Sequence, residues 1–149
     1  MKTNTLQCLR WATLLPMSAL LIACQSSPQC TTWKDQQSSE AFRGLSVLDA
    51  SLHDAIGFLS RRVLREAGGA PAVEIEVYNC SKRDIVLGFK AQFRSSGGLS
   101  ESASAWKRVY LAPMASAVYV ERAIDPASAS VQVEVIDINR AQAGPGGSR

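Results

Sequence analysis

Two consecutive segments of the chain alternate between inward-type apolar residues and other residues, most of them polar, and this pattern restricts the chain to a small set of folds. Residues 73–78 carry branched apolar side chains at the odd positions and two Glu and one Tyr at the even positions. Residues 85–94 repeat the alternation after a short polar break. Because a period of two is typical of a half-buried antiparallel strand, the two segments predict a β-hairpin.

Three further segments with the same period follow, at residues 106–111, 117–123 and 131–138. Pro113 ends the first of them, and Ile136 begins a change of phase in the last, which indicates a bulge or a strand end. Short strands separated by turn residues at intervals of about 8 to 12 residues are typical of a sandwich. The sequence therefore predicts a mainly β fold, an antiparallel β-sandwich.

One segment, residues 51–67, fits two structures. Leu52, Ile56, Leu59 and Val63 have helical spacing, and Gly68 could close a helix. The same segment is also compatible with a strand that leads into residues 73–78. The sandwich is therefore predicted with one helix within 51–67 as an alternative to a strand.

Composition sets the limits of the folded domain. The chain has 149 residues, of which 46% are hydrophobic and 19% charged, which is typical of one globular domain. Residues 24–41 are almost all polar and predict a flexible tether, and the Gly- and Pro-containing residues 141–149 predict a disordered tail. The β-sandwich domain is then expected at residues 42–140.

The first 23 residues have the features of a secretory signal peptide. Lys2 and Arg10 supply positive charge before an apolar stretch at residues 14–22. A membrane-spanning helix is the alternative, but crossing a hydrocarbon core of about 30 Å takes roughly 20 apolar residues. Removal of residues 1–23 leaves 14 basic and 13 acidic residues without a basic run. This near-neutral charge argues against nucleic acid as a partner.

The signal peptide ends in Leu-Ile-Ala-Cys at residues 21–24, which resembles the lipobox of bacterial lipoproteins. The resemblance implies a diacylglyceryl group on the Cys24 thiol, cleavage before Cys24 and acylation of the freed amine. Gln25, rather than Asp, follows the cysteine, and this implies sorting to the periplasmic side of the outer membrane. Lipid of that membrane would then be a partner through the acyl chains. Ordinary cleavage, giving a free secreted domain, is the alternative.

Cys30 and Cys80 are the two thiols that remain once Cys8 is removed and Cys24 is acylated. In an oxidising periplasm they are candidates for a disulfide that would hold the tether against the domain. Two unpaired thiols remain an alternative, because connectivity cannot be deduced from one sequence.

Catalytic and metal-binding patterns are weak in this sequence. The single histidine, His53, has no partner at a catalytic spacing, and Glu74 and Glu76 alternate on one strand face without an identifiable opposing carboxylate. The chain carries neither a Gly-x-Ser-x-Gly motif nor a phosphate-binding glycine loop. We expect no catalytic residue, no metal and no cofactor, so the protein is predicted not to be an enzyme. An envelope hydrolase would require a pocket that gathers His53, Glu74 or Glu76.

Trp106, Arg108, Tyr110 and Tyr119 are candidates for a binding patch. Aromatic rings beside basic groups can bind a glycan strand or an anionic lipid. Aromatic residues are equally common as cross-strand pairs within a sheet, which is the alternative for all four.

Residues 73–79, 85–93 and 106–113 together resemble the small outer-membrane lipoproteins of the YcfL type, whose domain has no assigned function. The family usually continues its second strand with a Trp-x-Asp-x-x-Gly turn, whereas this chain has Arg-Ser-Ser-Gly-Gly at residues 94–98. The resemblance implies an immunoglobulin-like β-sandwich in which residues 56–65 form a strand.

These features favour a lipid-anchored, non-enzymatic binding or envelope-structural module. Its expected partner is a periplasmic or outer-membrane protein, bound through a sheet edge or the loops. The alternative is a pilotin-like accessory lipoprotein of a secretion or surface-assembly machine.

Overall fold

The computed structural model describes residues 30–139, and seven strands form the framework of this region. The strands are β1 Leu45–Val47, β2 Ile56–Leu64, β3 Ala72–Asn79, β4 Ile85–Ser95, β5 Lys107–Leu111, β6 Ser116–Arg122 and β7 Ser128–Asp137. One short helix, α1 Trp33–Gln36, and two 3-10 turns, Glu40–Phe42 and Ala50–Leu52, precede or interrupt them.

The strands form two sheets that pack face to face. The four-stranded sheet has the order β1-β7-β4-β5, and the three-stranded sheet has the order β2-β3-β6. All neighbours are antiparallel except β1 and β7, which pair in parallel with Leu45 opposite Val133. The predicted mainly β, antiparallel-rich sandwich is confirmed.

The predicted hairpin between residues 73–78 and 85–94 is wrong. These segments are β3 and β4, which lie in different sheets, and the chain crosses between the sheets at residues 80–84. Each strand turns its apolar row inward, with Val77 and Phe89 both fully buried. The two rows face each other across the core, and this burial favours a sheet-to-sheet crossover over a paired hairpin.

Between the two alternatives for residues 51–67, the structure has a strand at Ile56–Leu64, as the family resemblance implies. A register shift between Phe58 and Ser60 explains the helical spacing. The bulge leaves Leu59 about half exposed and changes which positions point inward, so the strand loses its period of two.

The segment from Cys30 to Phe42 packs onto the sandwich, in contrast to the flexible tether predicted for residues 24–41. Trp33 is 4% exposed and meets Phe58 edge to face, with ring centroids 5.3 Å apart. The Gln36 carboxamide donates to the Phe58 carbonyl and accepts from the Phe58 amide, both at 2.8 Å. Although the segment is mostly polar, Trp33 anchors it in the core, and Gln36 forms hydrogen bonds with the backbone of the β2 edge.

Gly57 makes this docking possible. A Cβ at Gly57 would lie 2.1 Å from the Thr31 carbonyl oxygen, so the backbone of residue 31 crosses β2 where no side chain stands.

Three predictions fall outside the described residues: the signal peptide at 1–23, the acylated Cys24 and the tail at 141–149. Within residues 30–139, no helix has the length and hydropathy needed to cross a bilayer.

Candidate functional site

Three of the four predicted patch residues lie together on the outer face of the four-stranded sheet. Arg108 and Tyr110 alternate along β5, opposite Gly88 and Val86 of β4, and Trp106 immediately precedes β5 on the same face. Tyr110 is 60% exposed and Trp106 39%. We call Trp106, Arg108 and Tyr110 the β5 patch.

Neighbouring charged groups hold the two aromatic rings of the β5 patch. Lys90 Nζ lies 4.9 Å from the centroid of the Trp106 ring, within range of a cation–π interaction, and also pairs with Glu134 at 2.8 Å. The Tyr110 hydroxyl donates to Asp84 at 2.6 Å, and this hydrogen bond raises the pKa of Tyr110. The patch therefore offers two positioned rings and one guanidinium, groups that suit contact with another protein.

Tyr119, the fourth predicted residue, is not part of this patch. It is 2% exposed, lies opposite Ile75 on the inner face of the three-stranded sheet and stacks on Phe89 at 4.6 Å. Burial, and then the charge of Glu121, raise the pKa of Tyr119. Both faces of β6 carry large apolar side chains, with Val118 about half exposed outside, so periodicity did not reveal which face was buried.

The structure does not gather His53, Glu74 and Glu76 into a catalytic pocket. His53 follows the 3-10 turn before β2 and its Nε2 lies 3.2 Å from the Val47 carbonyl oxygen. Glu74 and Glu76 project from the outer face of the three-stranded sheet, where Glu74 lies 3.8 Å from Arg62. In the described part of the chain no group of three His, Cys, Asp or Glu side chains is placed to hold a metal ion.

Cys30 and Cys80, the candidate pair, are joined by a disulfide with their Cα atoms 5.7 Å apart. The bridge lies where β3 ends, and the Cys80 amide donates to the Ala55 carbonyl at 2.8 Å. Strand β3 thus holds the start of the described chain against the beginning of β2.

Asn79, next to the bridge, forms hydrogen bonds with the loops at this end of the sandwich. Its side chain is fully buried and its Nδ2 donates to the carbonyls of Arg83 at 2.7 Å and Ala112 at 3.0 Å. Its Oδ1 accepts from the Ser81 amide and hydroxyl. The disulfide therefore lies beside a corner whose loops are joined by hydrogen bonds to Asn79.

A second site, which the sequence did not indicate, is a cleft of about 520 Å³ between β2 and the first half of β7. Arg43, Arg61 and Arg94 line it together with a single carboxylate, Glu40. We call it the arginine cleft. The bulge in β2 turns Arg61 toward the interior, opposite Ile75, so no regular period could have placed that side chain. The only signal was compositional, the arginines at 61 and 62 of β2 and at 65 directly after it.

Comparisons with known proteins gave structural neighbours only. No family model matches the chain, and no curated protein matches it. A member of the DUF1425 family from Shewanella sp. pv-4 is similar in structure with a TM-score of 0.49 and 16% identity, covering 58% of this chain and 82% of that one. The Campylobacter jejuni protein cj0090 has a TM-score of 0.47 and 12% identity, covering 63% and 97%.

Proposed function

We propose that this protein is a lipoprotein held by acylated Cys24 on the periplasmic side of the outer membrane, with its β-sandwich acting as a non-enzymatic binding module. The observation that carries the proposal is the short distance along the chain between the lipobox cysteine and the bridged corner. Only five residues lie between Cys24 and Cys30, and the disulfide fixes Cys30 to the domain. A disulfide is also typical of an oxidising compartment such as the periplasm.

This spacing sets how the domain would stand on the membrane. Six extended residues reach at most about 20 Å, so the end of the sandwich with Cys30 and Cys80 would lie close to the headgroups. The β5 patch, on the outer face of the four-stranded sheet, would then stand to the side, free to meet a protein partner. Tyr, Trp and Arg are the side chains enriched at the centres of protein interfaces.

Labelling with a fatty acid tests the anchor. Label should enter the wild-type protein and should be lost in Cys24→Ser. Cys8→Ser is the matched control, since it removes a cysteine of the signal peptide and leaves the lipobox intact, so it should label like the wild type. Equal labelling of Cys24→Ser would contradict the proposal.

Site-specific photo-crosslinking in cells tests the binding role. A photoreactive residue at position 108 should trap a defined envelope protein. The same residue at position 118, which is exposed on the opposite sheet, should not. Trapping a subunit of a multimeric channel would favour the pilotin-like alternative. Identical products at the two positions would contradict a role for the β5 patch.

A further inference from the structure

The arginine cleft carries positive charge that the described residues leave uncompensated. Glu40 is its single carboxylate, and its Oε2 lies 2.5 Å from Arg43. Within residues 30–139 neither Arg61 nor Arg94 pairs with an acidic side chain. Two guanidinium groups therefore share one cleft without a counter-charge.

Arg61 is the more desolvated of these two. It occupies an inward position of β2, and its Nη2 donates to the Val131 carbonyl at 3.1 Å. Its Nε is buried with no hydrogen-bond partner among the described residues. Burial lowers the pKa of Arg61, as expected for a cation removed from water without a partner charge. Partial burial of a charge in this way is destabilising unless an opposite charge compensates it.

A purely structural role explains only part of this arrangement. Arg61 does tie β2 to β7 through the Val131 carbonyl, but Arg65 makes the same type of link to the carbonyls of Pro126 and Ser128. A role of Arg61 in holding β2 and β7 together does not explain why Arg43 and Arg94 also line the arginine cleft.

We propose that the arginine cleft binds an oxyanion group, a phosphate or carboxylate of a small anionic ligand, through Arg61 and Arg94. The planar guanidinium fork matches such groups and forms paired, charge-assisted hydrogen bonds with them. The cleft volume admits a ligand of several heavy atoms, and Arg43 stands at its margin with Glu40. This site is separate from the β5 patch and does not depend on lipid anchoring.

Calorimetric titration of the purified mature protein in a neutral detergent tests the proposal. Three probes distinguish the source of the anion: inorganic phosphate, citrate, and dihexanoyl phosphatidylglycerol as a soluble lipid headgroup. The tightest of the three identifies the source. Binding should weaken as salt rises, because the contact is ionic.

Three variants make the result specific. Arg94→Gln, at an exposed position, should raise Kd about tenfold, the loss expected for one charged hydrogen-bonding contact. Arg62→Gln removes the same charge from the opposite face of β2 and should leave Kd within about twofold. Arg61→Lys keeps the positive charge but replaces the planar guanidinium with an ammonium group, and should also weaken binding. Failure of all three probes to bind at concentrations up to about 10 mM would overturn the proposal. An equal loss in Arg62→Gln would also overturn it.

Discussion

At the scale of single residues, Phe89 makes a direct contact between the two sheets. It is fully buried in β4 and stacks on Tyr119 of the opposite sheet with ring centroids 4.6 Å apart. Phe89 therefore couples the sheets directly, because its ring contacts a side chain that the other sheet supplies.

We expect Phe89→Ala to lower the free energy of unfolding by about 3 to 5 kcal/mol, since it removes a buried ring and leaves a cavity. Gln92→Ala, on the outer face of the same strand, should cost less than about 0.5 kcal/mol. Urea unfolding of both variants measures the difference. Similar losses in the two variants would show that the facing of β4 is misassigned.

Glu101 is a residue whose charge supports a loop. Its carboxylate accepts from the amides of Ile124 at 2.9 Å and Asp125 at 3.2 Å, and from the Ser128 hydroxyl. Burial alone would raise the pKa of Glu101, but these three hydrogen bonds outweigh it and the pKa is lowered. The ionised form is thus the one that holds the connection between β6 and β7.

This lowered pKa gives a pH dependence with a defined sign. A Glu with a depressed folded-state pKa stabilises the fold above the unfolded value of about 4.3, and this contribution is lost as pH falls through the folded value. The difference in unfolding free energy between wild type and Glu101→Gln should therefore be largest near neutral pH and should shrink in acid. A difference that grows below pH 4 would contradict the assignment.

At the scale of elements, the segment from Cys30 to Phe42 is held against β2 by two contacts that involve the β2 backbone. The Thr31 carbonyl lies directly over Gly57, and the Gln36 side chain satisfies the Phe58 amide and carbonyl. Both contacts lie in the segment that directly follows Cys30 and its bridge to Cys80.

We expect Gly57→Ala to displace this segment, because the added methyl would lie 2.1 Å from a backbone oxygen that cannot rotate away. The variant should melt at a lower temperature and show more free thiol at Cys30 and Cys80 than the wild type. Gly97→Ala is the matched control, since the nearest atom to its added Cβ is 3.8 Å away. A Gly57→Ala protein that melts like Gly97→Ala would contradict the close crossing.

The disulfide closes a loop with a sequence separation of 50 residues. A loop of about that length is worth roughly 4 kcal/mol in the chain-entropy model. Reduction should therefore lower the melting temperature, while the far-ultraviolet spectrum keeps its β signature because the buried rows do not depend on the bridge. Alkylation of protein taken from cells under denaturing, non-reducing conditions tests the pairing: two reactive thiols per chain would contradict it.

The sequence predicted the positions of the strands better than it predicted which strands pair with one another. The period of two located β3 and β4 and the facing of Val77 and Phe89, because half-buried strands impose that pattern. It could not reveal that the two strands belong to different sheets, since an inward apolar row fits either sheet. The bulge at Phe58 and Ser60 concealed the inward Arg61 of the arginine cleft.

The candidate site was also only partly visible in the sequence. The β5 patch followed from strand parity, since Arg108 and Tyr110 share a face. Tyr119 could not be assigned the same way, because only the pairing of β6 with β3 decides its facing. Trp33 was hidden within a polar segment, and its burial depends on contacts with Phe58 and Phe42 that are distant in the chain.

At the scale of the whole molecule, the proposed anchor and the arginine cleft lie at different positions along the sandwich. The bridge between Cys30 and Cys80 lies where β2 begins, whereas Arg61 lies five residues further along that strand. At about 3.3 Å per residue this is roughly 16 Å from the bridged end. An anchor at Cys24 would therefore leave the arginine cleft away from the headgroups, open to a soluble anionic group.

We propose that the mature chain begins at acylated Cys24 and continues within six residues into an oxidised β-sandwich. Mass spectrometry of the protein extracted from the cell envelope, intact before and after reduction and after digestion to peptides, tests both parts at once. We predict an N-terminal peptide that begins at Cys24 and carries a diacylglyceryl group and an amide-linked acyl chain, and an intact mass that rises by two hydrogen atoms on reduction. A chain without lipid mass that begins elsewhere, or a mass unchanged by reduction, would contradict the claim.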